Sequence, residues 1–314
     1  MITRFFSLKV FKSVVSLKWL LVILLFIYST NSIAQYRFFK FPDTLNLKRN
    51  IPVSVGLGTI WGGSLVALQS VWYDGYPKTK MHTFNDNAEW MQMDKLGHAY
   101  TSYRMTNVLK TIYKWTGVKH QKAVFLAGGI TLGYMTSLEV LDGQSAEWGF
   151  SWSDIGANAF GVAAYTLQDA FFHNQVVLLK RGFSKSPYAS IRPEILGSNY
   201  IEQYLKDYNG QTYWYSISPK SIWKNSSFPH WLCFSFGYSV DAKINGMSDT
   251  YTASNGQTYI ANREYLFSLD IDVSKLPIKP LWLKKLILPI NAIKIPFPSL
   301  LWRNGVCYGV PMYF

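Results

Sequence analysis

The sequence predicts an α+β protein in which an apolar core of about four helices precedes a strand-bearing C-terminal region, the whole being membrane-associated. Apolar residues recur at helical spacing from about Leu45 to Lys180, and strand-like alternation follows. Hydrophobic residues make up 49% of the chain and charged residues only 16%, whereas soluble domains usually carry roughly 25% charged residues. This low charge is the observation that indicates contact with a membrane.

Residues 1–34 have the order of a secretory signal peptide, and the rest divides into a helical core at 35–180 and a mixed region at 181–314. Four basic residues come first: Arg4, Lys9, Lys12 and Lys18. An uncharged apolar run at residues 19–28 follows, too short to span a bilayer, and then a small-residue exit that ends at Ala34. We expect export with cleavage after Ala34, the alternative being an uncleaved anchor. The exit carries no Cys, which argues against a lipid anchor there.

The charge of the exported chain favours anionic partners. Without residues 1–34 the chain has 27 basic and 18 acidic residues, a formal charge of +9. A basic exported protein meets anionic lipid headgroups and envelope polymers more readily than nucleic acid, and the sequence contains no nucleic-acid-binding motif. The two cysteines, Cys233 and Cys307, either form one disulfide or remain two buried thiols.

Helical periodicity covers residues 51–73, 87–115, 121–141 and 153–173. The first segment has no charge and is long enough to cross a bilayer, although its glycines also suit close packing in a core. The later apolar stretches are shorter and end in charges, which is typical of core or half-embedded helices. Asp86 and Glu89 have the spacing of a capping box at the second helix, as do Ser151 and Asp154 at the fourth.

In two predicted strands, large apolar residues alternate sharply with small or polar ones. In "WLCFSFGYSV" large apolar residues such as Phe234 and Phe236 share one face and small residues such as Ser235 share the other, and "FSLDIDVS" has the same pattern. Apolar residues outside and small residues inside are typical of outer-membrane barrels, but a sheet packed by one face on helices gives the same pattern. We favour the packed sheet because the region offers few strands. The chain end, "VCYGVPMYF", also alternates and resembles the terminal signal of outer-membrane proteins.

The stretch "KLPIKPLWLKKLILPINAIKIPFPS", residues 275–299, combines five lysines with an apolar, tryptophan-bearing run. It is predicted to lie on a membrane surface, with a basic amphipathic core segment as the alternative. The pentapeptide "NGQTY" occurs at residues 209–213 and 255–259. Its Asn-Gly pair predicts a turn in both copies.

Polar side chains gather at the ends of the predicted helices. Asp94 and His98 are four residues apart and therefore share one face of the second helix, which Ser102 extends. The third helix ends in two acids and the fourth begins with an acid and an amide, namely Glu139, Asp142, Asp154 and Asn158. If these helix ends pack together, all of these side chains converge on one site.

Three roles are consistent with such a cluster. In a catalytic site, His98 is the general acid or base, Asp94 orients it, and Glu139 or Asp154 is a second carboxylate. In a metal site, the possible ligands are Asp94, His98 and Glu139, and several carboxylates with one His suit a hard cation such as Mg²⁺, Ca²⁺ or Mn²⁺ better than zinc. The candidate binding residues around the same site are Lys95, Ser102, Asp142 and Asn158. In a purely structural cluster, Lys95 pairs with Asp154 or Glu139. The remaining histidines stand alone in the sequence: His82, His120, His173 and His230. No phosphate loop, G-x-S-x-G or H-E-x-x-H motif is present, and the sequence leaves any cofactor unknown.

The stretches "FNDNAEWMQMDKLGHAYTSY", "LEVLDGQSAEWGFSWSDIGANAFG" and "LKDYNGQTYWYS" resemble the YfiM-like family of exported envelope proteins, a domain of unknown function. "DKLGH", Glu139 and the D-x-x-x-N-x-x-G of Asp154, Asn158 and Gly161 are more distantly similar to the VanZ-like membrane proteins associated with glycopeptide resistance. The resemblance implies an exported envelope protein. Together with the low charge and the lysine-punctuated apolar stretch, it leads us to expect a location at the outer membrane or its periplasmic face.

The function that we expect from these observations is a binding or scaffold role at the membrane, with a membrane lipid or an envelope polymer as the partner. The alternative is a hydrolase or transferase that acts on a lipid or an envelope glycan through His98 and the nearby carboxylates. An enzyme needs the cluster to line an open pocket, whereas a structural role predicts that its groups are closed off and paired with one another.

Overall fold

The computed structural model describes residues 40–314, so the predicted signal peptide lies outside the described residues. Four long helices come first: α1 (Leu47–Leu68), α2 (Met93–Trp115), α3 (His120–Asp142) and α4 (Trp152–Phe172). A π-helical turn, Gln69–Tyr73, continues α1, and a 3₁₀ turn, Glu89–Gln92, precedes α2. Four long helices followed by strands confirm the predicted α+β class. The helix bounds lie close to the predicted ones, except that α2 begins at Met93 and not at residue 87.

The long helices pack side by side and alternate in direction. Glycines allow close approach: a Cβ on Gly161 of α4 would lie 2.1 Å from the carbonyl oxygen of Ala99 in α2. Helix α1 is held through Trp61, whose indole N–H donates to Ser137 of α3 at 3.1 Å. As a result, the end of α1, the start of α2, the end of α3 and the start of α4 meet at one end of the bundle, which we call the cluster end.

Among the described helices, α1 and α3 are long and apolar enough to cross a membrane, judged by length and composition alone. They differ in burial. One third of the apolar window of α3 is buried inside the protein, as in a core helix, whereas α1 buries none of its residues. Val55, Ile60 and Val66 of α1 are 63%, 68% and 70% exposed. The helical region therefore turns a long apolar surface outward.

The C-terminal region is built on one antiparallel sheet. Its strands, in spatial order, are β1 (Val177–Phe183), β2 (Gln211–Ile217), β3 (Leu232–Asp241), β6 (Asn262–Ile271), β7 (Phe297–Arg303) and β8 (Val306–Tyr313). Strands β4 (Thr250–Thr252) and β5 (Thr258–Ile260) form a separate hairpin. Four short helices lie in the connections: α5 (Pro193–Leu196), α6 (Tyr200–Lys206), α7 (Pro219–Ile222) and α8 (Leu281–Ile287).

The sheet is curled so that its two outer strands approach each other. A Cβ on Gly182 of β1 would lie 2.1 Å from the carbonyl carbon of Phe314, which directly follows β8. The inner, concave face holds a buried apolar cluster of Trp214, Leu266 and Leu301. It also holds a fully buried ion pair, in which Lys180 Nζ lies 2.8 Å from Asp270 Oδ2.

Near the end of β3, Met93 at the start of α2 packs in one buried cluster with Val240, and the outer face is otherwise covered by the long helices along β1 and β2. There, Tyr103 of α2 and Tyr165 of α4 form a buried cluster with Leu179 of β1. Along β3 and β6 the large residues face outward instead, and Phe236 and Tyr265 are 53% and 55% exposed. The expectation that the helical layer covers the large face is therefore only partly met, because Val240 of β3 is covered by the start of α2 whereas Phe236 and Tyr265 lie beyond the helices on the curled sheet.

Several local predictions can be compared with the structure. Both NGQTY copies contain a turn, as predicted: the first begins in a 3₁₀ turn that leads into β2, and the second lies in the hairpin turn between β4 and β5. Cys233 and Cys307 form no disulfide; Cys233 is buried and Cys307 is exposed. In the stretch 275–299, Trp282 and Leu286 are exposed but Lys294 is fully buried, so this lysine does not belong to a solvated face.

Candidate functional site

The cluster end of the bundle holds the predicted site residues because each lies in the first or last turns of a long helix. Asp94 and His98 begin α2, and Glu139 stands in the last turn of α3. Asp154 lies in the first turn of α4, where the Ser151 hydroxyl accepts the backbone N–H of Asp154 at 3.0 Å and caps the helix. This bond confirms the N-cap half of the second predicted capping box.

Lys95 is the centre of the cluster. Its ammonium group lies 2.7 Å from Asp86 Oδ2, 2.9 Å from Asp94 Oδ2 and 2.6 Å from Asp154 Oδ1. The Lys95 side chain is only 11% exposed. One cation thus joins three acids from the turn before α2, from α2 and from α4. The sequence predicted Asp154 or Glu139 as the partner of Lys95. Asp154 forms this ion pair, whereas among the described residues Glu139 forms none with Lys95.

Asp86 is the acid whose role the sequence did not predict. It does not cap α2, because Trp90, Met91 and Gln92 adopt positive φ and interrupt the helical start. The carboxylate instead accepts the hydroxyl groups of Ser151 and Ser153, each at 2.6 Å, in addition to Lys95. Asp86 therefore ties the turn before α2 to the start of α4.

His98 lies among three carboxylates at distances longer than hydrogen bonds. Its Nε2 atom is 3.8 Å from Asp94 Oδ1 and 3.8 Å from Asp154 Oδ1, and its Nδ1 atom is 3.6 Å from Glu139 Oε1. The direct hydrogen bond of the ring joins Nδ1 to Asn158 Oδ1 at 3.2 Å. The His98 side chain remains 21% exposed, so one edge of the cluster is open to solvent.

The other predicted members lie around this centre. Ser102 donates to Asn158 Oδ1 at 2.9 Å. Asp142 accepts the hydroxyl of Tyr73 at 2.6 Å, at the edge of the cluster. Tyr208, far away in the sequence, donates to Asp94 Oδ1 at 2.7 Å. Sequence reasoning missed Tyr208 because no periodic pattern connects the turn before β2 with α2.

The pKa values of the acids in the cluster shift in opposite directions. Burial alone would raise the pKa of Asp94, but the charges of His98 and Lys95 hold it below its usual value. Burial and the charge of Asp94 raise the pKa of Asp154. Burial raises the pKa of Glu139 to about 8, against the attraction of His98. Perturbed pKa values that separate in this way are a feature of functional sites and also of structural ion-pair networks.

The pKa values of the two basic groups, Lys95 and His98, shift upward, which favours their protonated forms. Burial would lower the pKa of both Lys95 and His98, but the nearby carboxylates of Asp94 and Asp154 raise both pKa values above the usual ones. Lys95 is therefore a permanent cation in the cluster. The partners of His98 favour its protonated form as well.

Two buried polar atoms of the cluster make no hydrogen bond. They are Glu139 Oε1 and Asn158 Nδ2, in residues that are each 1% exposed. A buried polar atom without a partner costs roughly 1–3 kcal/mol. The cluster is thus tightly paired around Lys95 but incompletely satisfied around His98.

A second polar group lies at the opposite end of the bundle. Asp169 Oδ1 is 3.1 Å from Lys110 Nζ, and Asp169 Oδ2 is 3.0 Å from His120 Nε2. The ring of His120 packs edge-on against that of His173, with 5.3 Å between centroids. The sequence did not predict these contacts of His120 and His173, because helix ends that are distant in sequence meet there.

Comparison with known families supports an exported protein of the cell envelope. Residues 82–170, which carry the cluster from Asp86 to Asn158, match a family described as a predicted periplasmic lipoprotein (DUF2279). This description fits an envelope protein of unknown function and carries neither the YfiM-like nor the VanZ-like name. Searches of curated proteins and of solved structures found no match.

Proposed function

We propose that this chain is a membrane-associated envelope protein that binds lipid through its outer apolar surface and uses the polar cluster to hold its helices together. The observation that carries the proposal is the placement of side chains on the strands, because polar residues face inward and apolar residues outward, the reverse of a sheet in a soluble protein. Small and polar side chains of β3 and β6 are buried, whereas the aromatic ones face outward. The resemblance to YfiM-like and VanZ-like proteins belongs to the same proposal, since both groups are associated with the envelope or its membranes.

The outward aromatic residues form one continuous surface rather than scattered exposures. The Phe234 and Phe236 rings each pack against Phe267, with centroids 6.0 Å and 5.2 Å apart. Leu300 and Trp302 extend this surface onto β7 and are 44% and 40% exposed. Contiguous apolar surface of this kind marks an interaction site. Together with the exposed side of α1, it suits an apolar solvent better than water.

A basic cavity beside exposed aromatic rings indicates which lipids would be preferred. The cavity has a volume of about 580 Å³ and lies at the end of α4, where Phe171 and Phe172 are 75% and 64% exposed. Its basic lining residues are Lys220, Lys224, His230 and Lys275. None of the described residues that line it is acidic. Aromatic rings at the acyl boundary with lysines above them suit an anionic headgroup.

The polar cluster has a structural part in this proposal. Lys95 pairs with acids from three segments and so holds together the ends of the helices. The apolar sides of these helices face outward. In an apolar surrounding such a network must be paired internally, because water does not compensate the buried charges.

Flotation with lipid vesicles tests the proposal. The full chain should float with vesicles that contain phosphatidylglycerol and remain bound after a high-salt wash, because burial of apolar surface is insensitive to salt whereas purely ionic attachment is screened. Replacing Phe236 and Trp302 by Ser should release the protein into the salt wash. The matched control is Thr252→Ser on the separate hairpin. Salt-sensitive or absent flotation of the unmodified chain would refute lipid binding through the apolar surface.

A second candidate function is a hydrolase or transferase that acts on a lipid or an envelope glycan. One observation favours it: partly exposed His98 lies 3.6 Å from Glu139, a carboxyl group whose pKa is raised to about 8, so an acid and a base with perturbed pKa values are neighbours. His98→Ala and Glu139→Gln separate the two functions. Loss of a cellular phenotype in stably folded variants favours catalysis, and loss of the folded protein favours a structural cluster.

A further inference from the structure

We infer that the open edge of the cluster binds one divalent cation of the Mn²⁺ class, with Asp94 Oδ1, Asp154 Oδ1 and His98 Nε2 as the protein ligands. This inference is independent of lipid binding. The three side chains each offer one ligand atom, and these atoms lie within 4.8 Å of one another. Two carboxylate oxygens and one imidazole nitrogen form a donor set that Mn²⁺ accepts.

The distances suit a shared ion better than direct contacts. His98 Nε2 is 3.8 Å from each of the two carboxylate oxygens, too far for a hydrogen bond. Metal–ligand bonds of about 2.0–2.4 Å place two ligands of one ion about 3–4.5 Å apart. The observed separations fall in that range without any movement of the helices.

Asn158 orients the imidazole so that Nε2 lies where a metal could bind. Asn158 Oδ1 accepts the Ser102 hydroxyl and lies 3.2 Å from His98 Nδ1. Because this oxygen only accepts, Nδ1 is the donor, and Nε2, which lies between the two carboxylates, becomes a ligand when the metal ion replaces its proton. A ligating histidine whose second ring nitrogen donates to an oxygen is the usual arrangement in metal sites.

The charges and the unsatisfied atoms of the cluster point to a cation as well. Asp86, Asp94 and Asp154 share a single ammonium group, that of Lys95. Glu139 is 1% exposed, and its Oε1 atom makes no hydrogen bond although it faces the imidazole at 3.6 Å. A divalent ion at Nε2, in place of the ring proton, would set two positive charges against these carboxylates instead of one. The 21% exposure of Asp94 and His98 provides a path for the ion.

Titration of the full chain with Mn²⁺ after chelation tests the inference. Free Mn²⁺ is followed by its electron paramagnetic resonance signal in a detergent solution of the protein. We expect one equivalent to bind. Asp154→Asn and His98→Gln should weaken binding about tenfold or more. Asp169→Asn is the matched control, since Asp169 also contacts a lysine and a histidine but at the opposite end of the bundle; its affinity should equal that of the unmodified chain.

A second measurement does not depend on the folding of the variants. Electron spin echo spectra of Mn²⁺ bound to the unmodified chain should contain the coupling of an imidazole nitrogen. Absence of bound Mn²⁺, a spectrum without that coupling, or equal affinity in well-folded Asp154→Asn and Asp169→Asn would overturn the site.

Discussion

Replacing Lys95 by Met should destabilise the protein more than the loss of any single surface charge. The substitution keeps much of the side-chain volume but removes the cation from a group of three carboxylates that lie within 2.9 Å of it. Breaking a buried ion pair by removing one partner costs about 3–5 kcal/mol. Lys95 is 11% exposed and has three partners, so the upper part of this range is expected. At roughly 2–4 °C per kcal/mol for a chain of this order of size, thermal unfolding should begin about 10 °C lower.

Circular dichroism during heating measures this loss, and two variants calibrate it. Lys110→Met removes a lysine with one acidic partner and should cost less. Lys185→Met changes an exposed lysine and should be nearly neutral. Adding Asp154→Asn to Lys95→Met should restore part of the stability, because it removes one of the repelling charges. If Lys95→Met unfolds at the temperature of Lys185→Met, the cluster is not what holds the helix ends together.

Three further predictions concern other parts of the fold. Gly182→Ala should lower the unfolding temperature, because its Cβ would overlap Phe314, whereas Gly309→Ala has open space and should not; equal effects would contradict the curled sheet. Burial lowers the pKa of Lys294 to about 8 from 10.5, so the unfolded chain binds more protons than the folded chain between these pH values. The free energy of unfolding, relative to that of Lys294→Met, should therefore rise with pH in this range. A difference between the two proteins that does not change with pH in urea titrations would contradict this prediction. Ser151→Ala removes the α4 cap and one partner of Asp86 and should cost about 1–2 kcal/mol in the same titrations, so an unchanged midpoint would count against the cap.

The helical part of the fold could be predicted from sequence because its signals are local. Apolar periodicity located all four long helices, and helix spacing placed Asp94 and His98 on one face. The convergence of Glu139 and Asp154 on them followed from their positions at helix ends, since alternating helices bring those ends together. Such arguments depend only on residues that are near one another in the chain.

The remaining features depend on contacts between distant segments. Asp86 and Glu89 have capping-box spacing, but the positive φ of Trp90 shows that tertiary contacts set the local backbone there. Tyr208 reaches Asp94 across more than a hundred residues. The strand pattern identified two faces of β3, but which face is covered depends on how far the helices extend over a curled sheet.

Contact of the outer sheet face with lipid is the central claim, and a spin label on that face tests it most directly. With both native cysteines replaced by Ser, a nitroxide is attached at Leu300→Cys on β7 or, as the control, at Ser190→Cys in an exposed 3₁₀ turn. In vesicles, the label at position 300 should collide more often with oxygen, which concentrates in the bilayer, than with a water-soluble nickel complex, and the label at position 190 should show the reverse. Equal access of the nickel complex to both positions would contradict the account.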